Sequence, residues 1–261
     1  MVHKALTIAG SDPGGGAGIQ ADLKTFSVLR VYGMAVIAAL TSQNTIGVTS
    51  VMPVPAEVLK SQLDSLLDDI RPDAAKTGML STAANVELVA AKVREYGLTK
   101  LVIDPVMLST SGAPLLETDA QPIFRKELLP LALLITPNLH EAHVLTGKPA
   151  ANVEDMEEAA LHIHGMGARN VLVKGGHLEG DSTDVFFDGK EFSHLRSERI
   201  GSRHTHGTGC VLSAAITAYL ALGKPVEDAV KDGKQFVTEA IRGGLALGKG
   251  TGPCDPLGLE R

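Results

Sequence analysis

The sequence is poor in aromatic residues, in cysteine and in long apolar runs. Its 261 residues include no tryptophan and only 3% aromatic residues, which disfavours a surface that stacks the bases of single-stranded nucleic acid. The 24 basic residues are outnumbered by 30 acidic ones and form no cluster, so no nucleic-acid partner is expected. Two cysteines do not make a disulfide framework, and no run is long enough to span a membrane. The first apolar stretch is too short for a signal peptide, and we therefore expect a cytoplasmic protein without a membrane partner.

Short apolar runs alternate with segments of helical periodicity, a pattern typical of α/β proteins. Because the runs are apolar almost throughout, they predict a mostly parallel sheet flanked by helices on both faces, in three layers α/β/α. The predicted strands are residues 5–9, 35–40, 74–77, 101–104, 133–136 and 171–174. The predicted helices are residues 18–29, 56–67, 83–96, 138–146, 153–166, 208–222 and 226–247.

One segment interrupts this alternation. Residues 184–200 contain an Asp-Gly pair between two β-prone runs, which predicts an antiparallel hairpin. The hairpin could serve as a lid, as a dimer element or as an extension of the sheet edge. No linker or repeat separates any part of the chain, so residues 1–261 are expected to form a single domain.

Glycines and polar residues gather where the six predicted strands end. Ligands of an open parallel sheet bind beyond the carboxyl ends of its strands, and six such ends together predict a cleft. The segments at these ends are residues 10–18, 41–44, 78–79, 104–107, 137–141 and 174–177.

The most informative segment is the turn His204-Thr205-His206-Gly207-Thr208-Gly209-Cys210, which leads into an apolar helix. Glycine lets the backbone approach a ligand closely, and the free N–H groups of a helix start attract anions. The backbone of Gly207, Thr208, Gly209 and Cys210 is therefore a candidate anion hole. Because Cys210 lies at the helix start, we expect a lowered pKa for its thiol. An anion site beside an ionisable thiol suggests phosphoryl or acyl transfer.

A lysine and three oxygen-bearing side chains complete the candidate cleft. Lys174 ends an apolar strand before two glycines, where its ammonium can contact a phosphate. Mg²⁺ prefers oxygen ligands, which makes Asp104 and Glu141 candidate metal ligands and Asn138 a candidate for the metal or phosphate. Asn138 and Glu141 also have the spacing of a capping box, and the two roles are compatible.

Three familiar motifs fit the sequence poorly. Residues 16–21 fit the dinucleotide pattern G-x-G-x-x-A, but the acidic residue expected after the next strand is missing. Residues 243–250 nearly match a Walker A loop but carry glycine in place of the Ser or Thr that binds Mg²⁺. A zinc site of His204, His206 and Cys210 has no fourth ligand at suitable spacing.

Taken together, the motifs resemble those of a known enzyme family. The sequence segments are LTIAGSDPGGGAGIQADLKTF, TSQNTIGV, KTGML, IDPVM, ITPNLHEA, VLVKGGHL, HGTGCVLSAAI and GKGTGP, in order and over nearly the whole chain. They resemble the hydroxymethylpyrimidine/phosphomethylpyrimidine kinases of thiamine biosynthesis, within the ribokinase-like superfamily. The resemblance implies a cytosolic kinase that depends on ATP and Mg²⁺, commonly a homodimer with a central sheet flanked by helices. It also implies phosphorylation of 4-amino-5-hydroxymethyl-2-methylpyrimidine and then of its monophosphate.

The resemblance also implies roles for individual residues. Cys210 stands where related sugar kinases carry an aspartate base, and it is expected to approach the hydroxymethyl oxygen as a base or as a positioning group. The N-x-x-E element of Asn138 and Glu141 is expected to serve metal and phosphates. Thr205 is expected among the phosphate-binding residues. Further pocket residues implied are Gly10, Asp22, Met79, Val106 and Lys234.

Gln43 is the candidate that selects the substrate. A side-chain amide offers one acceptor and one donor, complementary to an exocyclic amino group beside a ring nitrogen. An aminopyrimidine has this edge, and pyridoxal does not. Many relatives carry Glu at this position, so the amide departs from a common form.

Three other functions stay open at this point. A pyridoxal kinase could be built on the same scaffold. A cysteine hydrolase could use Cys210 with His206, although the glycine loops and Lys174 would then have no purpose. A pyrimidine-binding protein without turnover is the third. The histidines His177, His204 and His206 have no other role that the sequence supports.

Overall fold

The computed structural model describes residues 2–109, 112–176 and 181–258, and within these ranges nine strands form one sheet. The strands are β1 (Lys4–Ser11), β2 (Tyr32–Gln43), β3 (Val48–Pro53), β4 (Ala74–Thr77), β5 (Leu101–Ile103), β6 (Leu134–Ile135), β7 (Val171–Val173), β8 (Ser182–Phe187) and β9 (Phe192–Ser197). Their order is β3-β2-β1-β4-β5-β6-β7-β8-β9. Neighbours from β2 to β7 are parallel, whereas β3, β8 and β9 pair antiparallel at the two edges. The predicted mostly parallel sheet is confirmed.

Helices cover both faces of the sheet. They are α1 (Gly18–Val28), α2 (Ala56–Leu67), α3 (Ala83–Tyr96), α4 (Ala120–Ile123), α5 (Leu139–Thr146), α6 (Val153–Gly165), α7 (Thr208–Ala221) and α8 (Val226–Arg242). In the ranges described, no helix is long and apolar enough to cross a membrane.

Two apolar cores hold these layers together, one on each face. Side chains alternate between the faces of a strand, so Leu6 and Ile8 of β1 join the core under α2 to α6, while Ala5 joins the core under α1, α7 and α8. Both cores consist mainly of buried aliphatic side chains, whose burial is the main favourable contribution to folding. The three-layer α/β/α architecture is therefore confirmed.

Several helices begin and end at the residues that their sequence predicts. The Thr82 hydroxyl accepts the Asn85 N–H to cap α3, and the helix ends at Gly97 with φ of 64°. The Asn138 side chain caps α5, which ends at Gly147 with φ of 76°. The caps at Thr82 and Asn138 fix where the loops at the carboxyl edge of the sheet end and the helices begin.

The structure differs from the predicted elements mainly in β2, β3 and α8, whereas the predicted hairpin is present. Strand β2 runs to Gln43 rather than residue 40 and pairs with β3, which the sequence pattern did not predict. Helix α8 ends at Arg242 rather than residue 247, because two glycines follow and weaken helical continuation. The segment 184–200 forms the hairpin β8–β9, and because β8 pairs with β7 it extends the edge of the sheet.

Candidate active site

Two glycine loops touch backbone to backbone at the carboxyl edge of the sheet. Gly207 has φ of 80°, and a Cβ atom placed on it would lie 1.7 Å from the carbonyl oxygen of Gly16. Gly18 has φ of 58°, and a Cβ atom there would lie 2.4 Å from the Gly10 oxygen. Only glycine combines a positive φ with so close an approach. The turn before α7 is therefore built against the loop between β1 and α1.

Asp12 organises the loop between β1 and α1. Its Oδ1 accepts the Gly14 N–H at 2.8 Å, and its Oδ2 accepts the N–H groups of Gly16 at 3.1 Å and Ala17 at 2.9 Å. Burial opposes ionisation, but His206 and these backbone donors outweigh it and hold the pKa of Asp12 below its usual value. An ionised Asp12 thus keeps the loop in its compact form.

The predicted anion hole lies at the start of α7, and its binding of an anion stays a prediction. Gly207 is the residue before the helix, and no side chain caps its first turn in the part of the chain that the structure describes. The Thr208 N–H and hydroxyl both donate to the Thr205 oxygen, at 3.2 Å and 2.7 Å, so Thr205 shapes the turn through its carbonyl group. Backbone N–H groups of a first helical turn are available to an anion.

Lys174 lies directly beside this helix start. A Cβ atom placed on Gly209 would be 3.3 Å from Lys174 Nζ and 3.6 Å from Asp104 Oδ2. The Lys174 ammonium donates to Asp104 Oδ1 at 3.0 Å and lies 3.8 Å from Glu141 Oε2. A Cβ atom at position 209 would crowd the Lys174 ammonium, whereas its distance from Asp104 is an ordinary van der Waals contact. The structure therefore brings the cation, both predicted carboxylates and the helix start together.

The two carboxylates differ in their protonation. Burial opposes ionisation of Asp104, but the charges of Lys174 and Lys76 outweigh it and lower its pKa. For Glu141, burial is the dominant effect and raises the pKa to about 7, although Lys174 favours its ionised form. The pKa of Lys174 is raised by Asp104 and Glu141 in spite of burial. Lys174 and Asp104 are thus a charged pair, and Glu141 is close to half-protonated at neutral pH.

The predicted capping box is present. Asn138 Oδ1 accepts the Glu141 N–H at 2.8 Å, and Glu141 Oε2 accepts the Asn138 N–H at 2.7 Å. In the ranges described, no group of three or more His, Cys, Asp or Glu side chains could hold a metal ion. Mg²⁺ is commonly bound by one or two carboxylates together with phosphate oxygens and water. The oxygens of Asp104 and Glu141 fit a magnesium ion that arrives with phosphate, rather than an all-protein site.

The predicted lowering of the Cys210 pKa is wrong. Burial raises the pKa of the thiol to about 12, and the positive charge of Lys76 and the N–H of Gly18 offset only part of this effect. The helix start does not replace the hydration that a thiolate would lose at this position. Cys210 is therefore a neutral thiol in this structure.

Asp22 is not at the surface and belongs to a buried ion pair. Its Oδ1 accepts from Lys76 Nζ at 2.8 Å, its Oδ2 accepts from the Thr7 hydroxyl at 2.6 Å, and Asp22 and Lys76 are fully buried. Sequence analysis missed Lys76, although a lysine inside an apolar strand was a signal that could have found it. This pair lies on the face of the sheet covered by α1 and α7.

Some of the other predicted pocket residues lie together. A Cβ atom placed on Gly10 would be 3.0 Å from the sulfur of Met79, so these two residues touch. Val106 lies in the turn after β5, where its N–H donates to the backbone carbonyl oxygen of Asp104 at 2.8 Å. Lys234 is tied instead to β8, because its ammonium donates to Asp184 at 2.8 Å and Ser182 at 3.1 Å. A substrate contact of Lys234 stays a prediction.

Gln43 ends β2 on the side facing the glycine loops, and His206 contacts it there. The Gln43 amide lies 3.3 Å from His206 Nε2, which lies 2.9 Å from Asp12 Oδ2. His206 thus faces Gln43 and Asp12, an arrangement that does not favour its use as the base of a Cys210 hydrolase. Sequence analysis gave His206 no other role, because positions 12, 43 and 206 are far apart in the chain. His177 lies outside the described residues.

Comparison with known proteins places this site in a family. The family model for phosphomethylpyrimidine kinase matches residues 12–255. A hydroxymethylpyrimidine/phosphomethylpyrimidine kinase of Bacillus subtilis is 45% identical over 100% of this chain and 97% of its own. The ADP complex of Bacillus subtilis pyridoxal kinase has a TM-score of 0.93 at 42% identity, covering 100% of this chain and 99% of its own. The phosphomethylpyrimidine kinase of Clostridium difficile has a TM-score of 0.82 at 44% identity, covering 92% and 99%. The chain therefore belongs to the phosphomethylpyrimidine kinase family.

Proposed function

We propose that this protein transfers the γ-phosphoryl group of ATP to 4-amino-5-hydroxymethyl-2-methylpyrimidine and then to its monophosphate, in thiamine diphosphate synthesis. The observation that carries the proposal is the position of Lys174 beside Gly209 at the start of α7. A preformed cation and oriented N–H groups stabilise charge on a transferred phosphoryl group. The family names of the relatives supply the substrate class.

The residues divide the work of phosphoryl transfer. The N–H groups at the start of α7 and the Lys174 ammonium hold the phosphoryl oxygens, and Asp104 fixes the position of Lys174. When bound, Mg²⁺ would neutralise phosphate charge, held by Asp104 and Glu141. The loose transition state of phosphoryl transfer demands little base strength. The neutral Cys210 thiol therefore positions the acceptor hydroxyl, rather than removing its proton beforehand.

The test is an assay of ADP release with purified protein and Mg²⁺-ATP. The acceptors are hydroxymethylpyrimidine, its monophosphate and pyridoxal, assayed in parallel. Turnover of both pyrimidines with little turnover of pyridoxal is the expected result. Without ADP release from any acceptor, a binding protein without turnover becomes the better interpretation. Mg²⁺ dependence is checked by adding a chelator, which should abolish turnover.

A pyridoxal kinase is the second candidate, favoured by the pyridoxal kinases among the similar structures. Gln43 discriminates between the two, because its amide matches an aminopyrimidine edge. We expect Gln43→Met to reduce kcat/KM for the pyrimidine at least ten-fold more than for pyridoxal, as measured by ADP release. Equal losses for the two acceptors would remove Gln43 as the selecting residue.

We also propose a cytoplasmic homodimer, as implied by the resemblance. The outer face of the β2–β3 hairpin supports it, since Leu40 and Met52 are register partners and both are exposed. Exposed apolar side chains that adjoin on one face are typical of association surfaces.

A further inference from the structure

The hairpin that carries Gln43 projects beyond the neighbouring strand of the sheet. Strand β1 pairs with β2 as far as Leu40, whereas β2 and β3 continue to pair as far as Gln43 and Val48. Beyond Leu40, the Thr41 hydroxyl donates to the Ser11 carbonyl oxygen at 2.8 Å. A two-stranded hairpin is only marginally stable by itself in water. The position of Gln43 therefore depends on what holds the end of this hairpin.

A glycine-rich segment near the C-terminus holds the turn at the end of the hairpin. Within residues 248–254 (the strap), the Gly250 N–H donates to the Thr45 hydroxyl at 3.2 Å. The Thr251 N–H donates to the Thr45 carbonyl oxygen at 2.9 Å. Cβ atoms placed on Gly248 and Gly250 would lie 2.2 Å from the hydroxyl oxygen and 2.0 Å from the carbonyl oxygen of Thr45. So close an approach requires glycine at both positions.

The strap continues directly into a contact with the turn before α7. Next to Thr251, the Gly252 carbonyl oxygen accepts the His206 N–H at 3.0 Å, and the Cys254 N–H donates to the His206 oxygen at 3.1 Å. His206 immediately precedes Gly207, the residue before the first turn of α7. Consecutive strap residues thus bond to the β2–β3 hairpin and to the turn that forms the candidate anion hole.

The strap overlaps the segment with the partial Walker A pattern, residues 243–250. A phosphate-binding loop presents free backbone N–H groups to the anion. Here the N–H groups of Gly250 and Thr251 are donated to Thr45 instead. These contacts favour a structural role of the glycines over a second phosphate site.

We propose that the strap is a positioning element, which fixes the hairpin carrying Gln43 relative to the start of α7 and thereby aligns the acceptor with the transferred phosphoryl group. This inference rests on the proposed function. Phosphoryl transfer requires the acceptor oxygen to lie in line with the γ-phosphorus. Gln43 lies two residues before Thr45, so a displaced turn moves the residue that selects the acceptor. Lys174 and the start of α7, which hold the phosphates, stay in place.

The first test removes one strap contact and then restores it. Thr45→Val removes the hydroxyl that accepts the Gly250 N–H, and Thr45→Ser retains it. We expect Thr45→Val to weaken binding of hydroxymethylpyrimidine and to lower kcat, each by about five-fold, while the affinity for ADP stays within about two-fold of wild type. Thr45→Ser should restore both quantities. Calorimetry measures the affinities, and ADP release measures kcat.

A second variant displaces the hairpin turn more strongly. The Cβ atom of Gly250→Ala would push the Thr45 carbonyl group away, and pyrimidine binding should weaken about ten-fold or more, again with little change for ADP. Gly165→Ala is the matched control on α6, because its Cβ atom would have no neighbour within 4 Å. It should behave as wild type. A loss of folded protein alone would lower kcat and leave both dissociation constants unchanged.

Hydrogen exchange adds a measurement that does not depend on the acceptor. The amides of residues 41–48 should exchange about three-fold faster or more in Thr45→Val, while those of α7 exchange as in wild type. Unchanged exchange in the hairpin overturns the inference, and so do pyrimidine and ADP affinities that fall together. A wild type that releases no ADP with either pyrimidine refutes the proposed function instead, and hydrogen exchange still decides whether the strap holds the hairpin.

Discussion

At the scale of single residues, Cys210 shows burial and helix electrostatics acting in opposite directions. The helix start favours the thiolate, yet loss of hydration dominates and raises its pKa to about 12. A pKa raised this far leaves the thiol neutral at pH 7. Any base function would therefore depend on the bound substrate, and a positioning role is the simpler consequence.

We expect Cys210→Ala to reduce kcat at least ten-fold, because the acceptor hydroxyl loses the group that positions it. Cys210→Ser should fall between wild type and alanine, since a hydroxyl can still form a hydrogen bond. Steady-state ADP release on both pyrimidines measures the effect. Unchanged turnover in the alanine variant would remove Cys210 from the catalytic residues.

Glu141 makes the stability of the protein depend on pH in a defined window. Its pKa of about 7 in the folded protein lies above the ordinary value of 4.5, so between these values the folded state binds more protons than the unfolded chain. The free energy of unfolding should then fall as pH rises from about 4.5 to 7, by up to roughly 3 kcal/mol, and level off above. Glu141→Gln should lack this component. Urea unfolding of nucleotide-free protein from pH 5 to 8 measures it, and parallel profiles for the two proteins would contradict the assignment.

The sequence predicts which residue types meet in the site better than it predicts their ionisation. The spacing of Asn138 and Glu141 predicted a capping box that is present. The direction of the Cys210 pKa shift was predicted wrongly, because the burial of this thiol depends on the packing of segments that are distant in the chain. His206 was missed for a similar reason, since its partner Asp12 is 194 residues away in the chain.

At the scale of elements, the start of α7 requires glycine at position 207, because any side chain there would displace the backbone of Gly16. Gly207→Ala adds a Cβ atom 1.7 Å from the Gly16 oxygen at φ of 80°. We expect a loss of about 3 kcal/mol or more in stability, and a fall of at least ten-fold in kcat, because two loops must separate. Thermal unfolding and ADP release measure the two effects.

A matched control separates strain from crowding. Gly147 has φ of 76°, but a Cβ atom there would have no neighbour within 4 Å. Gly147→Ala should therefore cost only about 1 kcal/mol, with kcat unchanged. Equal destabilisation by the two alanine substitutions would show that the contact between the glycine loops is not the cause.

The elements that the sequence did not predict are those least like a buried strand. Central strands such as β5, which the sequence predicted, are apolar runs buried on both faces. By contrast, β3 is an edge strand of mixed Ser, Thr and Val that ends in proline, so neither alternation nor an apolar run marked it. The extension of β2 to Gln43 was also not predicted, because it depends on antiparallel pairing with β3.

At the scale of the whole molecule, the β2–β3 hairpin connects the site with the outside of the protein. Thr41 and Gln43 face the glycine loops, whereas Leu40 and its register partner Met52 point outward and are 41% and 56% exposed. The end of the hairpin is held by the C-terminal segment, since the Thr251 N–H donates to the Thr45 oxygen at 2.9 Å. A contact on the outer face would therefore act on the same strand that carries Gln43.

If the proposed homodimer uses this outer face, a charge placed there should separate the subunits. We expect Met52→Lys to shift the protein from dimer to monomer in sedimentation velocity, because burying an unpaired ammonium in an apolar interface is costly. Loss of the interface should loosen the inner face of the β2–β3 hairpin, so KM for the pyrimidine should rise. Lys174 and the start of α7 are not affected, so kcat should stay within about three-fold of wild type. Leu161→Lys, on α6 and 48% exposed, is the control and should leave both the mass and KM unchanged. A wild type that sediments as a monomer would refute the dimer, and a dimeric Met52→Lys would place its interface on another face.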